Sequence, residues 1–254
     1  GNLWLYGGND VNGNTFNDLW EYSISTNIWT WINGSNDLNA GPQVTTLGET
    51  STSNAPGGLS NSVSWTDSSG NFWLFGGCAN GLQDSSGQDS YGSLNTLWMY
   101  SISTNSWTWI NGSLTVGDLG YNGLLNVPSK TNEPASRVGS VVWRDRNENI
   151  WIYGGEVLDA ANEYYGGVLD DFWEYIPSSN IWVWKSGTNV TVNGPKSVSV
   201  CSPDYGVLGI SSTTNYPGSR ELYMGWVDNN GNLWMFGGSC YSSSLPDDLW
   251  RYQP

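Results

Sequence analysis

A glycine pair preceded by an aromatic residue recurs four times, each time followed by a Trp-x-Tyr triplet. Gly7-Gly8 leads to Trp20-Glu21-Tyr22, Gly76-Gly77 to Trp98-Met99-Tyr100, Gly154-Gly155 to Trp173-Glu174-Tyr175, and Gly237-Gly238 to Trp250-Arg251-Tyr252. The marker tryptophans are 78, 75 and 77 residues apart. A unit repeated at a near-constant interval cannot bury its own apolar face and stacks on copies of itself. The 254 residues therefore read as one repeat array and not as separate domains.

Within each complete copy, alternation and aromatic enrichment predict four short strands. In the second copy they run from Ser62 to Thr66, Asn71 to Phe75, Thr96 to Tyr100 and Ser106 to Ile110. Asp67-Ser68-Ser69-Gly70, Asp145-Arg146-Asn147-Glu148 and Asp228-Asn229-Asn230-Gly231 have the composition of hairpin turns joining the first two strands. The links Ser23 to Asn27, Ser101 to Asn105 and Ile176 to Asn180 are equally short. Six residues separate Tyr22 from Trp29, Tyr100 from Trp107 and Tyr175 from Trp182.

A Gly-Gly doublet ending a second strand, then Tyr, six residues and Trp, resembles the kelch repeat. That resemblance spans essentially the whole chain. It implies an all-β fold, a kelch-type β-propeller with one four-stranded antiparallel blade per repeat, of the galactose oxidase central-domain type. The expected blade segments are 1–34, 57–112, 133–187 and 217–254, joined by long loops. At ~50 residues a usual kelch unit is shorter than these copies. The excess falls in the connections Gly34 to Pro56, Gly112 to Glu133 and Gly187 to Tyr216, and in loops between second and third strands such as Cys78 to Leu94. One face is elaborated, and loops on a rigid scaffold are where binding surfaces are built. The connections echo one another, with Asn54-Ala55-Pro56, Asn132-Glu133-Pro134 and Asn215-Tyr216-Pro217 at their ends. They are expected to be ordered and to pack over neighbouring blades. The first copy opens on a second strand and the last stops after a third, so the expectation is a partial ring of two complete and two incomplete blades, a window of a longer polypeptide.

Composition narrows the function. A net charge of -15, with 8 Lys and Arg against 23 Asp and Glu, repels phosphate backbones and anionic lipid, so nucleic acid is excluded as a partner. No apolar run approaches the ~20 residues of a membrane span, so no direct membrane insertion is expected. The chain contains no His, which removes Ser-His-Asp and Cys-His nucleophile systems, imidazole metal ligands and the copper site of galactose oxidase-like relatives. No catalytic residue and no cofactor is assigned.

Several residues stand out as candidates. Asp10, Asn12, Asn14, Asp18 and Glu21 have the spacing of a calcium loop, though Thr15 replaces the needed glycine and an Asn-rich turn explains the same residues. Asp18, Asp171 and Asp248 share one slot before Leu/Phe-Trp, with Thr96 in the other copy; bonds to backbone amides of the incoming turn are expected there. The pairs Trp29/Trp31, Trp107/Trp109 and Trp182/Trp184 read as inter-blade core. Loop aromatics Tyr91, Tyr121, Tyr164, Tyr165, Tyr205 and Tyr216 are the candidates for a binding face. Asn33, Asn111 and Asn189 begin glycosylation triplets expected on the elaborated face, and Cys201 with Cys240 is the preferred disulfide, leaving Cys78 over.

These features together suggest a non-catalytic extracellular or cell-surface scaffold displaying loops for protein binding or self-assembly. The alternatives are a kelch enzyme or lectin-like propeller acting on a sugar or small metabolite, and a cytoplasmic kelch substrate adaptor. Carboxylates and tyrosines converging where the innermost strands end would favour chemistry.

Overall fold

The computed structural model describes residues 1–83, 86–158, 167–189, 202–240 and 246–254. All regular structure among them is β: four antiparallel sheets that follow the sequence repeats, and two two-stranded hairpins. The first sheet is β1 (Leu3–Asn9), β2 (Thr15–Ser23) and β3 (Ile28–Asn33), in that order. In the second, β4 (Thr50–Ser51) lies outside a meander of β5 (Val63–Thr66), β6 (Phe72–Phe75), β9 (Leu97–Ser101) and β10 (Ser106–Asn111). β7 (Cys78–Gln83) and β8 (Asp89–Ser93) form a separate hairpin, as do β13 (Glu156–Val157) and β14 (Gly167–Val168). The third sheet is β11 (Val141–Arg144), β12 (Ile150–Tyr153), β15 (Phe172–Ile176) and β16 (Ile181–Ser186). β17 (Met224–Val227), β18 (Leu233–Phe236) and β19 (Leu249–Tyr252) make the fourth.

The sheets stack face to face in chain order, and strand alternation makes this possible. In β12, Ile150 and Ile152 join a cluster with Trp73, Phe75 and Leu97 of the second sheet, while Trp151 and Tyr153 turn to Leu233 and Met235 of the fourth. A strand buried on both sides reads as a continuous apolar run. Trp107 fits against Tyr6 of the first sheet with ring centroids 5.3 Å apart, and Trp182 against Phe75 of the second at 5.2 Å. The Trp-x-Trp strands do fill the spaces between sheets, except in the first sheet, where Trp29 and Trp31 are about half exposed because no described sheet lies against that face. The leading strands β5, β11 and β17 lie side by side.

The glycine doublet joins one sheet to the next. Gly8, Gly77 and Gly155 donate their N–H groups to the carbonyls of Leu59, Arg137 and Arg220, at 2.8, 2.9 and 2.9 Å, each acceptor standing just ahead of the following leading strand. The residue before each donor is a glycine with φ of +61°, +68° or +58°, and a side chain there would run into the same carbonyl.

The tyrosine of the motif also acquires a reason. Tyr100 and Tyr175 donate their hydroxyls to Asn105 and Asn180 at 2.8 and 3.1 Å, and Tyr22 does the same to Asn27. All three asparagines hold the left-handed conformation that closes the hairpin, which Asn tolerates better than most residues.

One expectation is corrected. Among the described residues, the aspartates of the slot before Leu/Phe-Trp take side-chain partners and not the backbone amides of an incoming turn. Asp171 takes a bidentate ion pair from Arg137, at 2.6 and 2.7 Å, and the indole N–H of Trp173 at 2.8 Å. Asp248 takes Arg220 at 2.6 and 3.1 Å. Where Thr96 fills the slot, Leu59 replaces the arginine, so both members of the pair change together.

Candidate functional site

Each long connection carries a hairpin of one fixed length, closed by the bridges Gln43 to Ala55, Tyr121 to Glu133 and Asp204 to Tyr216. An asparagine near its end anchors it. The side-chain amide of Asn54 donates to the carbonyls of Glu49 and Trp107, at 2.8 and 3.1 Å, and that of Asn132 to Val127 and Trp182, at 2.8 and 3.0 Å. Because Trp107 and Trp182 belong to the following sheets, the hairpins sit on the outer strands β10 and β16; β4 pairs with β10, and Ser129 bridges Trp182. The first two hairpins thus pack on the sheets that follow them, covering edges that would otherwise offer unpaired backbone. Asn215 repeats the intra-hairpin bond, to Ile210 at 3.0 Å.

The hairpin tips expose apolar side chains at matching positions. Leu47, Leu125 and Leu208 each lie four residues after the first bridge residue and are 53%, 49% and 101% exposed. Leu124, Val127, Val207 and Ile210 extend the row.

The candidate calcium residues divide into separate roles. Asp10 accepts the N–H groups of Asn12 and Asn14 at 2.8 and 2.9 Å, between the second and third strands of its repeat; Asp67, Asp145 and Asp228 build a turn of the same geometry between the first and second strands of theirs. Bonds from Asn14 hold its carboxyl below the usual carboxylate range. Asp18 instead accepts the Trp20 indole at 2.7 Å, and Glu21 accepts from Asn2 at 2.7 Å. The five residues thus enter three different hydrogen-bond sets.

Asn33 and Asn111 pair with Leu19 and Leu97 of the third strands, at the end of each sheet where the long connections leave. Both are half-buried, and their side-chain amides donate to Asn105 and Asn180, at 3.1 and 3.4 Å, in turns of the following sheets. Asn189 is half-buried. Among the tyrosines, Tyr121 and Tyr216 are exposed hairpin-base residues, and Tyr205 lies over Trp250 with its hydroxyl 3.1 Å from Asp248. Tyr164 and Tyr165 lie outside the described residues. Cys240 is disulfide-bonded and Cys78 is a buried free thiol, while Cys201 lies outside the described residues.

A group that sequence reasoning passed over lies where the leading strands begin. Glu156 directly follows a glycine doublet and Glu221 directly follows Arg220, and their carboxyls share a hydrogen bond. Burial, then the Glu221 charge, pushes Glu156 up to about 7, and its hydrogen bond with Glu221 acts in the same direction. Tyr91 and Cys78 adjoin it; their mutual hydrogen bond and burial push the Tyr91 phenol up to about 12, and burial pushes the Cys78 thiol up to about 11. The two carboxyls and the half-exposed phenol bring hydrogen-bond donors and acceptors together in one place. The available signal was an acidic residue in a slot that holds Asn9, Cys78 and Ser239 in the other copies.

No protein-family model matches the chain, and no curated protein matches it. Among solved structures, that of YjhT is similar at 13% identity and a TM-score of 0.49, over 99% of this chain and 78% of that one. Among the described residues, no helix is long and apolar enough to cross a membrane.

A third half-buried acid contributes to the pH response of the fold. Burial, then the Asp118 charge, pushes Glu133 up to about 7, and Asn95 donates to it at 3.1 Å. A carboxyl raised in the folded state stabilises most below its unfolded value near 4.5, and that contribution is lost as pH rises through 7. Glu133→Gln keeps the acceptor for Asn95. It is expected to raise stability at pH 8 by about 1 kcal/mol after solvent screening, roughly 2–4 °C in melting temperature, with little change at pH 5. Below about pH 4 both proteins are expected to lose stability as pH falls, because Asp10, Asp67 and Asp248 are held low by their hydrogen bonds and lose them on protonation. Melting curves of both proteins across this range check the prediction.

Proposed function

We propose that the chain is part of a kelch-type β-propeller, two complete and two incomplete blades, serving as a non-catalytic extracellular scaffold that presents its hairpins for protein binding or assembly. Face-to-face stacking of successive sheets, with neighbouring leading strands, supports the propeller arrangement. The observation that carries the functional reading is the row of exposed leucines Leu47, Leu125 and Leu208 on hairpins whose bases are pinned by asparagine. Exposed apolar side chains held at regular intervals on ordered loops have the character of an interaction surface. The test places a photo-crosslinking residue at Thr46, beside Leu47, and another at Ser69 on the short-turn face, in protein exposed to extracellular fluid. Partner crosslinks from position 46 that disappear in the Leu47→Ser, Leu125→Ser, Leu208→Ser variant support the reading, provided that variant melts as the parent does. Equal labelling from both positions defeats it.

A second reading is a sugar- or small-metabolite-binding propeller, favoured by the Glu156–Glu221 pair beside Tyr91. Glycan binding abolished by Glu156→Gln, and untouched by the leucine changes, would select it over the scaffold.

A further inference from the structure

The leading strands of the second, third and fourth sheets share a register. Leu59, Arg137 and Arg220 are each followed six residues later by Trp65, Trp143 and Trp226, and eight residues later by Asp67, Asp145 and Asp228. Each of these tryptophans faces another on the second strand of its sheet: Trp73, Trp151 and Trp234. The aspartates accept the indole N–H of that second tryptophan at 2.9, 3.0 and 2.9 Å. The arginines bond the carbonyl of their own sheet's first doublet glycine, Gly154 or Gly237, at 3.1 and 3.0 Å, and the slot carboxylate, Asp171 or Asp248.

The first sheet has the receiving half of every one of these contacts. Trp4 stands at the position of Trp73, Gly7 at that of Gly154, and Asp18 at that of Asp171. β1 is the sheet's outermost strand on that side, with no described strand on its other edge. Asp18 has its Trp20 bond, the counterpart of Trp173 to Asp171, but among the described residues no arginine or lysine reaches it. Beside β1 a cleft of ≈ 540 Å³ opens toward β5, lined in part by Trp4, Tyr6, Ser62, Trp65 and Leu74.

We propose that the free edge of β1 is a strand-docking site for an extended segment of the pattern Arg-x5-Trp-x-Asp, bound antiparallel to β1. Its tryptophan lies opposite Trp4, its aspartate takes the Trp4 indole N–H, and its arginine pairs with Asp18 and the Gly7 carbonyl. Backbone pairing along an exposed edge supplies affinity, and the side-chain pockets supply selectivity. Charge complementarity selects this occupant: a half-buried carboxylate faces a site where two other copies place a guanidinium. A second copy of the chain is a poor donor, because β5, β11 and β17, which carry the pattern or its leucine variant, are already paired within their own sheets. The proposal is independent of the hairpin-face reading of function.

The test titrates the full chain with a fluorescent synthetic peptide copying residues 135–149, read by anisotropy, with hydrogen exchange to locate the site. Expected are saturable binding, slowed exchange of the Leu3 to Tyr6 amides, and about tenfold weaker binding of the peptide carrying Arg137→Ala. Asp18→Asn in the protein weakens the parent peptide about as much and barely affects the alanine peptide, the signature of a direct pair. Equal affinity of the two peptides overturns the proposal even if Asp18→Asn does not fold. So does protection confined to other strands, or a dimer that protects β1 without peptide.

Discussion

Arg137→Leu is expected to destabilise the protein by about 3–5 kcal/mol, and adding Asp171→Thr is expected to recover most of that loss. The guanidinium and carboxylate are 1% and 0% exposed, so neither can turn to water when its partner is removed. Arg137 also donates to the carbonyls of Ala135 and Gly154, at 2.9 and 3.1 Å, tying the entry of the third sheet to its doublet. The single change leaves a buried carboxylate whose remaining described partner is the Trp173 indole. The double change reproduces the second sheet, where Leu59 and Thr96 occupy these positions with Leu59 buried at 2% exposure. Denaturant midpoints at unchanged slope measure both effects. A double variant as unstable as the single one would show that the two solutions are not interchangeable.

Gly154→Ala is expected to cost more than about 4 kcal/mol, while Gly237→Ala, at the same place in the motif, is expected to cost about 1–2 kcal/mol. Both glycines are left-handed, with φ of +58° and +72°, so both variants carry backbone strain. What separates them is the neighbouring sheet. A methyl group on Gly154 overlaps the Arg220 carbonyl oxygen and lies 2.5 Å from the Tyr223 hydroxyl, in an interface also held by the Gly155 to Arg220 hydrogen bond. On Gly237 the nearest atom is the Pro246 carbonyl oxygen, at 3.5 Å. Thermal melts of the two variants side by side isolate the contribution of sheet docking from that of backbone strain. Equal losses would mean that strain alone explains why glycine is needed.

Strand positions were legible to about a residue: the expected Asn71 to Phe75 is Phe72–Phe75, and Ser106 to Ile110 is Ser106–Asn111. Alternation, hairpin turns and the Tyr-to-Trp spacing depend on neighbours a few residues away, and these are visible in a linear string. The segment Cys78 to Leu94, expected as a loop between second and third strands, contains the hairpin β7–β8, whose pairing is interrupted by a bulge between Ala79 and Leu82 and carries little alternation.

Asp171 shows the limit of that reading. Its place in a repeating slot was evident, but its partner Arg137 lies 34 residues earlier, and nothing local distinguishes an acceptor for backbone amides from one for a buried guanidinium. Trp29 and Trp107 are equivalent letters in the repeat, yet one is 51% exposed and the other 1%, because burial depends on whether another sheet lies against the strand. Glu156 and Glu221 are 65 residues apart and become a proton-sharing pair through the packing of adjacent sheets. Period, turn chemistry and aromatic register are local properties that residue order can encode directly. Ion pairs, exposure and shared protons arise from separations that close only when the sheets stack, so they belong to the assembled fold.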